Sequence, residues 1–187
     1  NRYDMMCSAV WQSGQRAKIA LLSHPAYFDA LYAFARNDDH RFDRGLEQIN
    51  ASGIKIAVID NDITQSVRQM RFPNAGELAL SPLSDSSQIL MSVATGKADV
   101  ALLTLDSIKK FNKVSDKKLK LIADGHPVRL FAGVFAMKRG ENDLKNMIDS
   151  TVQSLEVSGE VDAIVTKYAV SGFVAPAPIY TRPEVRN

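Results

Sequence analysis

One cysteine, one tryptophan and three histidines are all that 187 residues hold of the side chains most often used for bridging, stacking and metal binding. Cys7, being alone, excludes an internal disulfide and any cysteine-based zinc cage. It lies inside an apolar run with no base nearby and reads as a small core residue rather than a nucleophile. His24, His40 and His126 are scattered, with no second histidine at ligand spacing, so they read as surface or loop residues and no metal is expected. No apolar run approaches the ~18 residues of a membrane span. Charge of either sign is not in large excess: 23 Lys+Arg stand against 21 Asp+Glu, a net +2, spread along the chain and not gathered in one stripe. That excludes a reason to expect nucleic acid. With 45% hydrophobic and 24% charged residues the composition is that of an ordinary globular chain.

Motifs for catalysis are also missing. There is no Gly-x-Ser-x-Gly elbow. Gly96-Lys97 resembles the end of a phosphate loop, but neither Met91 nor Ser92 supplies the leading glycine and Ala98 replaces the hydroxyl. Gly96 is better explained as a helix stop. Asp60-x-Asp62-x-Thr64 begins like a calcium loop, yet Gln65 stands where glycine is needed and Arg71 where the bidentate glutamate belongs. Catalysis is not supported.

What is present is an alternation of short strands and helices. Met5 to Trp11 has the length of a buried strand and stops at the Ser13-Gly14 turn signal. Tyr27 to Arg36 fits strand or helix, and Asp43 to Asn50 a brief helix. Ile54 to Ile59 is β-branched and reads as a strand, followed by a helix over Thr64 to Met70. Glu77 to Leu80, Val100 to Leu103, Leu119 to Ile122 and Leu130 to Met137 read as further strands. Asp85 with Gln88 forms a capping box before a helix ended by Gly96, and Ser107 to Asn112 is a short helix. The strongest helical periodicity runs through Leu144, Met147, Ile148, Val152 and Leu155, then Val161, Ile164, Val165 and Tyr168. The tail from Gly172, with Pro176, Pro178 and Pro183, is incompatible with regular helix. The pattern predicts an α/β fold with a largely parallel sheet.

Two places suit a small polar ligand. Arg16 follows a strand-turn segment with Ser8, Ser13 and the backbone of Gly14, and its planar fork matches a carboxylate; the alternative is a solvated surface charge. Asp62 and Thr64 sit between a strand end and a helix start, where unpaired N–H groups face a crevice; the alternative is plain helix capping.

The run Asp4-Met-Met-Cys-Ser-Ala-Val-Trp-Gln-Ser-Gly-Gln-Arg16-Ala-Lys18, then Leu22-Ser-His-Pro-Ala-Tyr27, resembles a first-lobe segment of the family 3 extracytoplasmic solute-binding proteins. Gly53 to Ile59, Ser84 to Leu90, Gly96-Lys-Ala-Asp-Val-Ala101, Ala136 to Glu141 and Gly159 to Tyr168 follow in the family's order, so the resemblance spans Asp4 to about Tyr168. It implies a periplasmic-binding-protein type II-like α/β fold, a two-lobed clamp that closes on a small solute for an ABC permease. Residues 37–130 would be one complete lobe, and residues 1–36 with 131–187 a partial one lacking its opening strand-helix-strand-helix portion. A second copy or a swapped segment would cover the sheet so exposed. The implied location is periplasmic or otherwise extracytoplasmic, with no cofactor.

The resemblance also assigns roles. Arg16 falls on the arginine that grips a ligand carboxylate, and Ser8 and Ser13 on hydroxyl positions near it. Trp11 replaces a small polar residue and either stacks on ligand or fills core. Thr104 stands where amino-acid binders carry the aspartate that meets the ligand ammonium. A buried ammonium without a counter-charge is strongly disfavoured, so either Asp62 or Asp106 substitutes or the solute is an anionic organic acid. The runner-up reading is a ligand-sensing domain of a membrane receptor, a kinase or cyclase; an enzyme such as a dehydratase and a non-binding scaffold stand further off.

Overall fold

The computed structural model describes residues 3–123, 126–168 and 173–174. The chain runs β1 (Met5–Trp11), α1 (Gly14–Ile19), β2 (Leu21–Leu22), β3 (Tyr27–Arg36), 3₁₀ turns at His40–Phe42 and Leu46–Ile49, β4 (Lys55–Ile59) and α2 (Ile63–Arg71). It continues with β5 (Gly76–Leu80), α3 (Ser86–Ala94), β6 (Val100–Leu103), α4 (Leu105–Val114), β7 (Leu119–Leu121), β8 (Arg129–Met137), α5 (Asn142–Ser158), α6 (Glu160–Tyr168) and β9 (Phe173–Val174). Apart from Phe173 and Val174, the proline-bearing tail from Gly172 lies outside the described residues. Two compact units form. One gathers the chain up to Asp29 and from Phe131 onward, the other holds Ala30–Leu130, so both β3 and β8 pass from one unit into the other.

In the second unit β4 lies between β5 and β6, parallel to both. A strand covered on both faces must be apolar throughout, and Ile56, Ala57 and Val58 are fully buried. Each parallel pair needs a crossover, which α2 and α3 supply. The expectation of a largely parallel sheet is corrected beyond these three strands. β3 pairs antiparallel with both β6 and β7, because it enters from the other unit and no crossover helix constrains its direction. Phe34, Ile89, Leu90, Val93, Ile108 and Phe111 pack into one core with Ala57 and Ala101. Removing one such side chain, Phe111→Ala for instance, costs about 3–5 kcal/mol. The capping box at Asp85 and Gln88 is present, and Gly96 takes the left-handed conformation just past α3, with φ +78°.

In the first unit β1 and β2 both pair antiparallel with β8, and β9 pairs with β3. Ser23 is buried because its hydroxyl accepts from Phe135 N–H and donates to the His24 carbonyl, closing the turn into β3. Gly133 must lack a side chain: a Cβ there would lie 2.7 Å from the Tyr27 ring. Cys7 is exposed, which corrects its reading as a core residue. Among the described residues β1 has β8 as its one strand partner, so it is an edge, and apolar character in the run does not place a side chain inside. The Ser13-Gly14 signal does end β1, but it also starts a helix, since Ser13 Oγ accepts from Arg16 N–H as the N-cap of α1.

The end of β3 is tied by charge. Arg36 donates to the Val93 and Ala98 carbonyls at 3.1 and 3.0 Å and to Asp39 at 3.1 Å. Arg41 reaches Asp39 at 2.7 Å and Asp99 at 2.5 Å, and Asp99 also accepts from Lys55 N–H at 2.9 Å. The Arg41 hydrogen bonds hold the Asp39 carboxyl below the usual 3.8. Burial pushes Asp99 up, but Arg41 and the Lys55 N–H outweigh it and hold it low as well. A lowered native value means that the unfolded chain binds more protons near pH 3.8, so this stabilisation is complete above that pH and is lost as pH falls below it. Calorimetry from pH 6 down to about pH 2.5 is therefore expected to give a melting temperature that falls more steeply in wild type than in an Asp39→Asn/Asp99→Asn variant, which starts lower at neutral pH. Parallel curves contradict the assignment. Asp39→Ala costs about 2 kcal/mol at pH 7, since charged hydrogen bonds to two guanidinium groups are lost.

Candidate functional site

Each unit carries its own group of candidate residues. In the first unit, β1 delivers Trp11 and the following turn delivers Ser13 and Arg16. The indole of Trp11 stacks on Phe131, with ring centroids 4.5 Å apart and planes 8° from parallel. Its Nε1–H donates to Asp29 at 3.1 Å. Trp11 is half-buried, so it is neither a fully enclosed core residue nor a loose surface ring. Arg16 turns its guanidinium back to the Trp11 carbonyl while its own N–H meets the Ser13 hydroxyl. Trp11, Ser13 and Arg16 thus form one connected turn. Arg16 is half-buried, and among the described residues no carboxylate pairs with it. Ser8, also expected near the ligand, is exposed on β1.

Asp29, Tyr27 and Phe131 were not among the expected site residues. Asp29 is 6% exposed, a carboxylate inside the otherwise apolar run of β3, and that single acid was the available signal. A buried acid needs partners, and the indole N–H is one. Burial, then the nearby Asp29 charge, raises the Tyr27 phenol above its usual value, so it stays neutral.

In the second unit the candidates lie at the carboxyl ends of parallel strands, where helix N-termini begin. Asp62 caps α2: its Oδ1 accepts from both the N–H and the hydroxyl of Thr64, each at 3.0 Å. The capping alternative is thus what the geometry contains. Thr64 is 4% exposed. Asn61 just before it takes a left-handed φ of 59°, and its N–H is held by Gln65 at 3.0 Å. Thr104 precedes α4 without capping it; its hydroxyl meets that of Ser107 at 3.2 Å. Because β4 and β6 pair in parallel with Ala57 opposite Ala101, both loops leave the same end of the sheet. Asp62 and Thr64 are directly joined, whereas no hydrogen bond links them to Thr104 among those of the described residues. Asp106, a candidate counter-charge, is paired with Lys110 at 2.6 Å.

These groups supply a guanidinium, hydroxyls and helix N-termini, which are suited to holding a small polar solute, and the Thr64 hydroxyl beside the Asp62 carboxylate is part of the α2 cap. Among the described residues no cluster of three or more His, Cys, Asp or Glu is placed to hold a metal ion, and no helix is long and apolar enough to cross a membrane.

A mixed α/β chain with such groups has the fold of the periplasmic-binding-protein-like structures. The chain belongs to the bacterial extracellular solute-binding proteins, family 3, whose model matches residues 1–171. Among solved structures it is similar to a histidine kinase sensor domain that itself resembles periplasmic binding proteins, at 21% identity and a TM-score of 0.73, over 94% of this chain and 72% of that one. An amino acid ABC transporter substrate-binding protein of Streptococcus pneumoniae, bound to L-arginine, aligns at 18% identity and a TM-score of 0.66, over 89% and 68%. An ancestral amino acid-binding protein, a precursor of cyclohexadienyl dehydratase, aligns at 16% and 0.71, over 90% and 69%. A search of curated proteins finds no match. At these identities the structures establish the fold alone.

Trp11 is the one tryptophan, so its fluorescence reports the Asp29 bond directly. Asp29→Ala is expected to move the emission maximum to longer wavelength and to cost about 1–2 kcal/mol, while Asp29→Asn, which keeps an acceptor, stays near wild type. Identical spectra for all three proteins contradict the geometry.

Proposed function

We propose that this chain captures a small extracytoplasmic solute bearing a carboxylate and hands it to an ABC permease, with no covalent chemistry. The observation that carries the reading is Arg16, a half-buried guanidinium with no carboxylate partner among the described residues, set in a turn that fixes its backbone. Keeping such a charge partly out of water is costly unless something anionic meets it. In this reading the two units are the family's two lobes. Ser8, Trp11 and Ser13 accompany Arg16 on one, and Asp62, Thr64 and Thr104 present hydroxyls and helix starts on the other.

The solute class follows from charge. Asp62 is engaged by Thr64 and Asp106 by Lys110, so an α-ammonium would have to share either carboxylate with an existing partner. An organic acid asks for no such sharing, and it is the favoured class over a standard amino acid. A second reading rests on the likeness to the kinase sensor domain: the same capture would then report solute to a membrane receptor instead of delivering it.

A thermal-shift screen against amino acids and small organic acids tests both. At a solute concentration of about a hundred Kd the wild-type melting temperature is expected to rise by about 5–10 °C, more for a dicarboxylate or hydroxy acid than for its amino counterpart. Arg16→Ala and Arg16→Lys should melt within a few degrees of wild type and lose most of the shift. A full shift retained by Arg16→Ala rejects the anchor, and an amino acid preferred over every organic acid rejects the solute class.

A further inference from the structure

The even spread of basic residues along the sequence does not hold for the folded second unit. Between Asp106 and Lys120 six lysines stand against two aspartates, an excess larger than the +2 of the whole chain, so the remainder of the protein is net acidic. This stretch is α4 and the turn into β7. Ile108 and Phe111 bury one side of α4 in the core, which leaves Lys109, Lys110 and Lys113 on its outer side, Lys110 in its i,i+4 pair with Asp106. The turn that follows is held firmly. The Asn112 side chain donates to the Leu119 carbonyl at 2.8 Å and accepts from its N–H at 3.1 Å, and the Ser115 hydroxyl bridges the N–H and carbonyl of Lys117. Lys117 and Lys118 are thereby placed beside α4 on a rigid frame, Lys118 Nζ donating to the Asn112 carbonyl, while Lys120 is paired with Asp43 at 2.8 Å. At its centre Val114 is 86% exposed.

We propose that this α4–β7 face docks onto an anionic lipid surface. The lysines meet headgroup phosphates and Val114 enters the interfacial layer. The composition of the face favours lipid over a protein partner. Protein interfaces are enriched in arginine and aromatic residues and depleted in lysine, whereas the stretch from Asp106 to Lys120 carries no arginine, its one aromatic, Phe111, is buried, and Arg36 nearby is engaged by Asp39 and Asp99. Lysine ammonium groups are hydrated point charges without a directional fork, suited to a diffuse layer of phosphates rather than a fixed carboxylate pattern. Each basic side chain near such a surface adds attraction that falls off within a Debye length. The inference does not depend on which solute the protein captures.

Co-sedimentation of the full chain with phosphatidylglycerol/phosphatidylcholine vesicles tests it, with pure phosphatidylcholine as the neutral surface. Wild type is expected to bind the anionic vesicles at low ionic strength, to release in high salt, and to ignore the neutral ones. Changing Lys109, Lys110, Lys113 and Lys117 to Gln should weaken binding by at least about tenfold at an unchanged melting temperature. The same change at Lys18, Lys55, Lys138 and Lys167, exposed elsewhere, should leave most of it. Val114→Ser should reduce binding without altering its salt dependence. No binding to anionic vesicles at low salt overturns the proposal, as does equal loss in the two lysine variants. So does capture of the wild type by a polyglutamate matrix in the absence of any vesicle binding, which would indicate an acidic protein partner.

Discussion

Arg36 meets four oxygen-bearing partners at once: the Val93 and Ala98 carbonyls and the carboxylates of Asp39 and Asp99. Much of the second unit rests on that convergence. α3 ends where Gly96 turns the chain back, its own N–H on the Val93 carbonyl, so that one guanidinium serves the Val93 and Ala98 carbonyls together. Asp99 then holds the Lys55 N–H at the start of β4, and Arg41 closes the ring of charge from the other side. The start of β4, the end of α3 and the end of β3 are therefore fixed to one another by a few directed bonds. What lies at the opposite, carboxyl ends of β4 and β6, namely the N-termini of α2 and α4, inherits its placement from that anchorage.

The first unit is organised around a different kind of contact. Asp29, near the start of β3, fixes the indole of Trp11, and Trp11 through its carbonyl fixes the guanidinium of Arg16. A buried carboxylate, an aromatic stack and a half-buried cation form one chain of dependence, with Phe131 of β8 supplying the other wall. Each part leaves the next with fewer conformations to lose on binding, which is how a preformed site keeps its affinity. Arg16 is the member of that chain that still lacks an anionic partner among the described residues, and the capture proposal rests there.

Much of this was legible from local pattern. The β-branched run before Asp60, the capping box at Asp85 and the helical spacing through Leu144 to Leu155 each encode an element within a few residues, and those elements are present. The family order of segments was readable for the same reason. Where the signal was non-local, reading failed. Asp29 was not singled out, because its partner Trp11 lies 18 residues earlier and Phe131 far along the chain. Cys7 looked buried, because an apolar run says nothing about whether a strand is an edge. The antiparallel course of β3 depends on the chain entering from another unit, which no spacing reveals. At Asp62 capping and ligand binding ask for the same residue types, so sequence alone left them open, and the capping bond is present.

The guanidinium of Arg16 can be watched directly. Titrating the nitrogen-15-labelled protein with its best-stabilising carboxylate, and again with the corresponding methyl ester, follows the Arg16 Nε–H resonance alongside the backbone. A saturable shift of that resonance with the acid and none with the ester is the predicted result. Saturable backbone shifts from a bound solute, with the Arg16 signal unmoved, would contradict carboxylate capture by this residue.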